Sequence, residues 1–174
     1  MNLYVIAYPE IEAADQQRIQ LFRGEYDKLH AAIPPHFTIV FAVHDMAPEE
    51  LIQEVKKQTA NTAAIQFCTR CAIANKDFLT DNYDIFLVPD EGFSQILKLH
   101  DKLYNGKLAS HHRPDIAYLP HITIANASNA VRAKKLTAQW NEKDFEISGS
   151  IFSLDVVNYE NGVITTLEKI CLAE

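Results

Sequence analysis

The chain has little of what usually announces a phosphate-handling or nucleic-acid-handling protein. Of its 174 residues only five are glycines, at 24, 92, 106, 149 and 162. They are scattered, so neither a G-x-x-x-x-G-K-[ST] loop nor a G-x-G-x-x-G turn can be assembled, and no nucleoside-triphosphate cradle is expected. Positive charge is also short. With Lys+Arg 16 against Asp+Glu 23, a formal net charge of -7 and a pI near 5.5, the chain lacks the overall field that draws long nucleic acid by counterion release. Any nucleic-acid substrate is expected to be small or locally held.

Long apolar runs are missing as well. No stretch approaches the ~18 apolar residues of a membrane span, and Leu3 to Pro9 is too short for a signal h-region and has no basic residue before it. No membrane role and a cytoplasmic setting are expected. Three cysteines fit free thiols in a reducing compartment. Cys68 and Cys71 form a Cys-x-x-Cys, a spacing used in redox and zinc sites. They fall in an apparent strand, where residues i and i+3 point to opposite faces, and no second ligand pair follows.

What the chain does have is a repeated pentapeptide. Pro35-His36-Phe37-Thr38-Ile39 returns as Pro120-His121-Ile122-Thr123-Ile124, the histidines 85 residues apart in a chain of 174. A period near half the length is the mark of a duplicated unit. In a strand, His36 and Thr38 share one face while Phe37 and Ile39 share the other, and the second copy behaves likewise. Two such polar faces turned together would gather two imidazoles and two hydroxyls around one pocket. A lone His-x-Thr in a strand is usually a satisfied polar couple; two matched copies are not so easily explained.

The remaining pattern predicts a strand over Leu3–Pro9, a helix over 12–30, a strand over His36–Val43 and a helix from Pro48 to about Thr59. A hairpin of Ile65–Ala74 and Asp84–Val88 follows, with Phe78 and Leu79 at its tip. Then come a helix over 91–104, an irregular connection to Pro120, a strand over His121–Asn126 and a helix over 129–141. One long strand, 145–159, and a second, 163–172, close at Asn161-Gly162, the strongest short hairpin signal. The series helix, His-motif strand, helix, hairpin occurs twice, and the whole predicts an α+β protein with mainly antiparallel sheets.

Paired His-x-Thr-x motifs at this separation, in a chain of this length, resemble those of the two-histidine (2H) phosphoesterase superfamily, which includes 2′-5′ RNA ligase-like proteins and cyclic phosphodiesterases. The resemblance covers the whole chain. It implies one domain over 1–174 with two pseudo-symmetric lobes of antiparallel sheet flanked by helices, the motifs facing a central groove, and His36, Thr38, His121 and Thr123 as the catalytic quartet. After the first motif the RNA ligase-like branch usually continues with Arg and a Leu-Gly pair, where this chain has Val40-Phe41-Ala42-Val43.

Two histidines and two hydroxyls suit phosphodiester cleavage by general acid-base catalysis, one ring neutral and one protonated near pH 7. No metal or cofactor is required by such a quartet. The expected substrate is a small nucleotide or RNA end with a 2′,3′-cyclic phosphate. RNA ligase-like joining and a non-catalytic nucleotide-binding or RNA-binding module are the alternatives. Lys107, His111, His112 and Arg113 make the connection before the second motif locally basic, fitting either a groove mouth that attracts phosphate or an ordinary solvated loop. His111, His112 and Asp115 could be read as metal ligands, but a full set is missing. Tyr4, Tyr8 and Tyr118 are candidates to stack on a base, with core packing the other reading for the first two.

Overall fold

The computed structural model describes residues 1–77 and 80–173, so the expected hairpin tip at Phe78 and Leu79 lies outside the described residues. The chain runs β1 (Leu3–Ala7), β2 (Glu10–Ile11), α1 (Ala13–Tyr26), β3 (Phe37–Val43), α2 (Pro48–Thr59), β4 (Ile65–Lys76), β5 (Tyr83–Glu91) and α3 (Phe93–Leu103). A 3-10 turn (Gly106–His111), β6 (Ile122–Ala127), α4 (Ala130–Trp140), β7 (Ile147–Ile151), β8 (Ser153–Glu160) and β9 (Val163–Cys171) complete it. The strands form two sheets, ordered β3-β1-β8-β9 and β2-β7-β4-β5-β6. Every ladder between these strands is antiparallel.

Local chemistry explains most boundaries. Pro48 opens α2, Glu49 and Glu50 occupy its first turn and Lys56 and Lys57 its last, an arrangement that complements the helix dipole. Asn129 caps α4 by accepting from the Arg132 N–H at 2.9 Å. Asn161 and Gly162 both take positive φ, 53° and 80°, as a two-residue hairpin of the type I′ family requires. Cys68 is buried and Cys71 exposed, so the Cys-x-x-Cys straddles β4.

Three expectations are corrected. The first helix stops at Tyr26 rather than His30, because Asp27 turns extended and uses its carboxylate twice. It accepts from Arg23 Nε at 2.7 Å and from the Leu29 N–H at 2.9 Å. The connection before the second motif is not wholly irregular, since a 3-10 turn is pinned in the core by fully buried Leu108. The single strand expected over 145–159 is two strands in different sheets, β7 beside β4 and β8 beside β1, parted at exposed Phe152. The core side chains switch from odd positions, Ile147 and Ile151, to even ones, Leu154 and Val156, so the phase of the alternation changes at the crossing and the adjacent apolar pair Ile151-Phe152 marks it in the sequence.

The duplication is interleaved. β3, with the first motif, is one of the two edge strands of the four-stranded sheet, and β6, with the second, is one of the two edge strands of the five-stranded one. Yet the hairpin after the first motif, β4–β5, carries the second motif's strand, and the last hairpin, β8–β9, lies in the first motif's sheet. Leu3, Val5, Ala7, Phe37 and Ile39 from one sheet and Ile85, Leu87, Ile122 and Ile124 from the other share one core cluster. Their alternate neighbours, the motif His and Thr among them, are turned away from it.

Candidate active site

Both motif histidines are held the same way. His36 Nδ1 donates to the carbonyl of Pro34 at 2.9 Å, and His121 Nδ1 donates to the carbonyl of Leu119 at 2.6 Å. Each anchor lies two residues upstream, so the duplication extends to side-chain geometry. With Nδ1 committed as donor, the neutral tautomer has its proton there and its lone pair on Nε2. Both rings are half-buried.

The rings differ in their surroundings. His121 stacks on Phe86 with centroids 3.6 Å apart, while His36 meets Tyr8 edge-on at 6.3 Å. Burial pushes His121 down to about 4, the Leu119 carbonyl opposing and the nearby His36 charge adding to the shift. Burial also lowers His36, against the Pro34 carbonyl, with smaller contributions from Arg23 (downward) and Asp27 (upward). The charge of His36 thus reaches the His121 ring. Because the folded His121 value lies below the unfolded one near 6.5, its burial destabilises the fold as pH falls from about 6.5 towards 4 and costs nothing above that window.

Thr38 and Thr123 are half-buried. In register, Thr38 lies opposite Ile6 of β1 and Thr123 opposite Phe86 of β5, so each shares a face with its histidine's neighbours. Neither hydroxyl has a hydrogen-bond partner among the described residues, unlike Thr59 and Thr137, which cap carbonyls of their own helices. Under the first motif lies a buried ion pair. Arg23 and Asp27 are both about 2% exposed at the side chain, and Arg23 Nη2 donates at 2.7 Å to the carbonyl of Ile33, next in the chain to the Pro34 that anchors His36.

A groove of about 800 Å³ borders His121; Tyr4, Phe41, Asp84, Phe86 and Arg113 are among its other walls. The basic connection meets it only in part. His111 and Arg113 line the groove, but His111 Nε2 is 2.6 Å from Asp45 Oδ1, and Arg113 is forked onto Asp115 at 2.9 and 2.7 Å. Lys107 is away from the groove, paired with Glu50 of α2. His112 packs its ring near Tyr104 and His100. Much of the local positive charge is thus matched by acids, and Lys107 and His112 do not line the groove. Nor is Tyr118 a stacking platform. Its ring lies flat on His100 at 3.6 Å and its hydroxyl donates to the Thr38 carbonyl at 2.9 Å, which ties the approach to the second motif onto the strand of the first.

His100, Asp101 and His112 bring ligand atoms within 4.8 Å of one another, a different trio from His111, His112 and Asp115. His100 Nδ1 donates to the Ile39 carbonyl at 2.8 Å. Sequence reasoning missed Phe86, Arg23 and Asp84. The alternation Asp84-x-Phe86 against Ile85-x-Leu87 carried a signal for the first and last, and the i, i+4 series Ile19, Arg23, Asp27 carried one for the buried pair.

The profile of the 2′-5′ RNA ligase superfamily matches residues 9–163. The chain belongs to this superfamily, the two-histidine phosphoesterases. A member from Bacillus pumilus, provisionally named a phosphoesterase, is 27% identical over 178 residues, spanning 100% of this chain and 99% of its own. A Geobacillus sp. (strain WCH70) protein of the same provisional name is 30% identical over 105 residues, so that this chain spans only 57% of that relative's length. Among solved structures, E. coli LigT complexed with NADP+ superimposes with a TM-score of 0.59 at 16% identity over 99% of this chain and 98% of its own. A Thermus thermophilus protein gives 0.65 at 16% identity over the same shares. LigT has also been solved with phosphate and with 3′-AMP. The α+β architecture with two antiparallel sheets is thus the superfamily fold, and the Pro-His-x-Thr-Ile copies sit on the edge strands of its two sheets.

Proposed function

We propose that the chain is a phosphoesterase that opens a 2′,3′-cyclic phosphate on a nucleotide or RNA end, with both proton transfers made by the motif imidazoles and none by a metal. The observation that carries this reading is the matched anchoring of His36 and His121, which leaves the basic Nε2 of each without a partner among the described residues. One neutral imidazole takes a proton from water as the water oxygen bonds to phosphorus. The bond from phosphorus to one ribose oxygen breaks, and the other imidazole, protonated, gives that oxygen its proton. Thr38 and Thr123 donate to the non-bridging oxygens, where negative charge develops. Nucleotide-sized substrates are supported by the LigT complexes. The superfamily's name favours ligation, in which the hydroxyl of a second RNA end takes the place of water as the nucleophile, as the second reading.

Each step has a measurable consequence. Thr38→Val or Thr123→Val should lower kcat by about 10- to 10³-fold, since a lost phosphoryl hydrogen bond leaves the proton transfers in place; unchanged kcat in both would remove the threonines from the site. The free protein holds both imidazoles below the usual histidine value. The base form then appears as pH rises through the lower apparent pKa, and the acid form disappears as pH rises through the higher. The kcat/KM profile should therefore be a bell centred below pH 6.5, with apparent values that belong to the pair. A bound phosphate anion favours the imidazolium, so the kcat bell should lie at higher pH than the kcat/KM bell. Activity should survive EDTA. Loss on chelation with recovery on adding a divalent metal would overturn the mechanism.

A further inference from the structure

On the face of the five-stranded sheet that carries Thr123, two rows of side chains cross the strands. The first is Thr123–Phe86–Ile73, and the second is Asn126–Asp84–Asn75. The second row lies two residues farther along β5, about 7 Å along the strand from Phe86, the residue on which the His121 ring stacks. Asp84 is its centre. Oδ1 accepts from Asn126 Nδ2 at 2.7 Å, and Asn126 is itself fixed by accepting from the Lys28 N–H at 3.0 Å. Among the described residues Asp84 has no ion-pair partner and its Oδ2 no hydrogen bond, although it lines the groove.

Resting on the phosphoesterase reading, we infer that Asp84 reads the base of the substrate, accepting two adjacent N–H groups and so favouring guanine. On that reading the phosphate lies at the His121 end of the groove, and an anionic Asp84 disfavours a second phosphate at its own end. One β-strand pleat separates the two ends, a span comparable to that between the ribose oxygens of a nucleoside and the far edge of its base. Tyr4 and Phe41 wall the same groove and offer aromatic surface to the base. Guanine presents an imino and an amino donor side by side, which a carboxylate accepts with both oxygens. Adenine and cytosine present one amino group at that edge. Uracil presents one N–H flanked by two carbonyls that the carboxylate repels. Burial raises the Asp84 pKa, with the Asn126 amide pulling the other way, so the carboxylate gains from donors that arrive with a ligand.

The test compares the 2′,3′-cyclic phosphates of guanosine, adenosine, cytidine and uridine, with calorimetric binding of guanosine and uridine 3′-monophosphates alongside. The expected kcat/KM for the guanosine substrate exceeds that for uridine by about 10- to 100-fold, and Asp84→Asn brings the ratio to within about 3-fold. Equal kcat/KM across the four bases, or an Asp84→Asn variant that loses activity on all four in the same proportion, overturns the inference and leaves the phosphoesterase reading intact. If no cyclic phosphate is turned over, a guanosine preference in binding that Asp84→Asn abolishes still supports the base site. Equal binding of the two monophosphates overturns it.

Discussion

His36→Ala and His121→Ala are each expected to lower kcat on a 2′,3′-cyclic phosphate by about 10²- to 10⁴-fold, roughly 3 to 5 kcal/mol of barrier. The double variant should be little worse than the poorer single one, because residues that act as a unit do not contribute additively. Folding should hardly suffer. Removing His121 forfeits its stack on Phe86, an aromatic contact worth about 0.5 to 1.5 kcal/mol, but also removes a half-buried imidazole whose charged form the site disfavours. Steady-state kinetics beside thermal melts separate the effects. A double variant with full activity would end the catalytic assignment.

The second large effect is on stability. Arg23→Ala leaves the Asp27 carboxylate buried without its cation, and breaking a buried pair in this way costs about 3 to 5 kcal/mol. Denaturant titration should show it. Replacing both partners together, as Arg23→Met with Asp27→Leu, should recover most of the loss, since no uncompensated charge remains. Because Arg23 also holds the Ile33 carbonyl beside the Pro34 anchor of His36, the single variant should also lower kcat. Stability of Arg23→Ala within about 1 kcal/mol of the parent would show that the pair is not holding the first motif.

Much of the candidate site was legible because its residues sit in one contiguous string used twice. Period-two alternation was enough to put His36 with Thr38 and His121 with Thr123 on faces away from Phe37, Ile39, Ile122 and Ile124, and the core contains the latter four. Helix α2 was legible from Pro48 and its flanking charges. Other features depend on contacts that no local pattern encodes. Lys107 and Arg113 look alike as cations in the sequence, but Glu50 holds one on α2 while Asp115 accompanies the other into the groove. Tyr118 reads as a free aromatic until His100, 18 residues earlier, is found flat against it.

The exchange of hairpins between the two sheets governs the order in which the chain can mature. β1 is made first, yet one of its two neighbours is β8, with Leu3 opposite Asn158. During synthesis the first-motif sheet has only β1 and β3 to pair until β8 has emerged, and a two-stranded ribbon is marginal by itself. The second-motif sheet gains its β4–β5 hairpin early and β6 soon after, but waits for β7. Both sheets thus close on β7 and β8, through contacts of long sequence separation that slow the search for the native state. A ribosome-stalled chain ending before residue 145 would carry both histidine motifs and hold neither sheet complete.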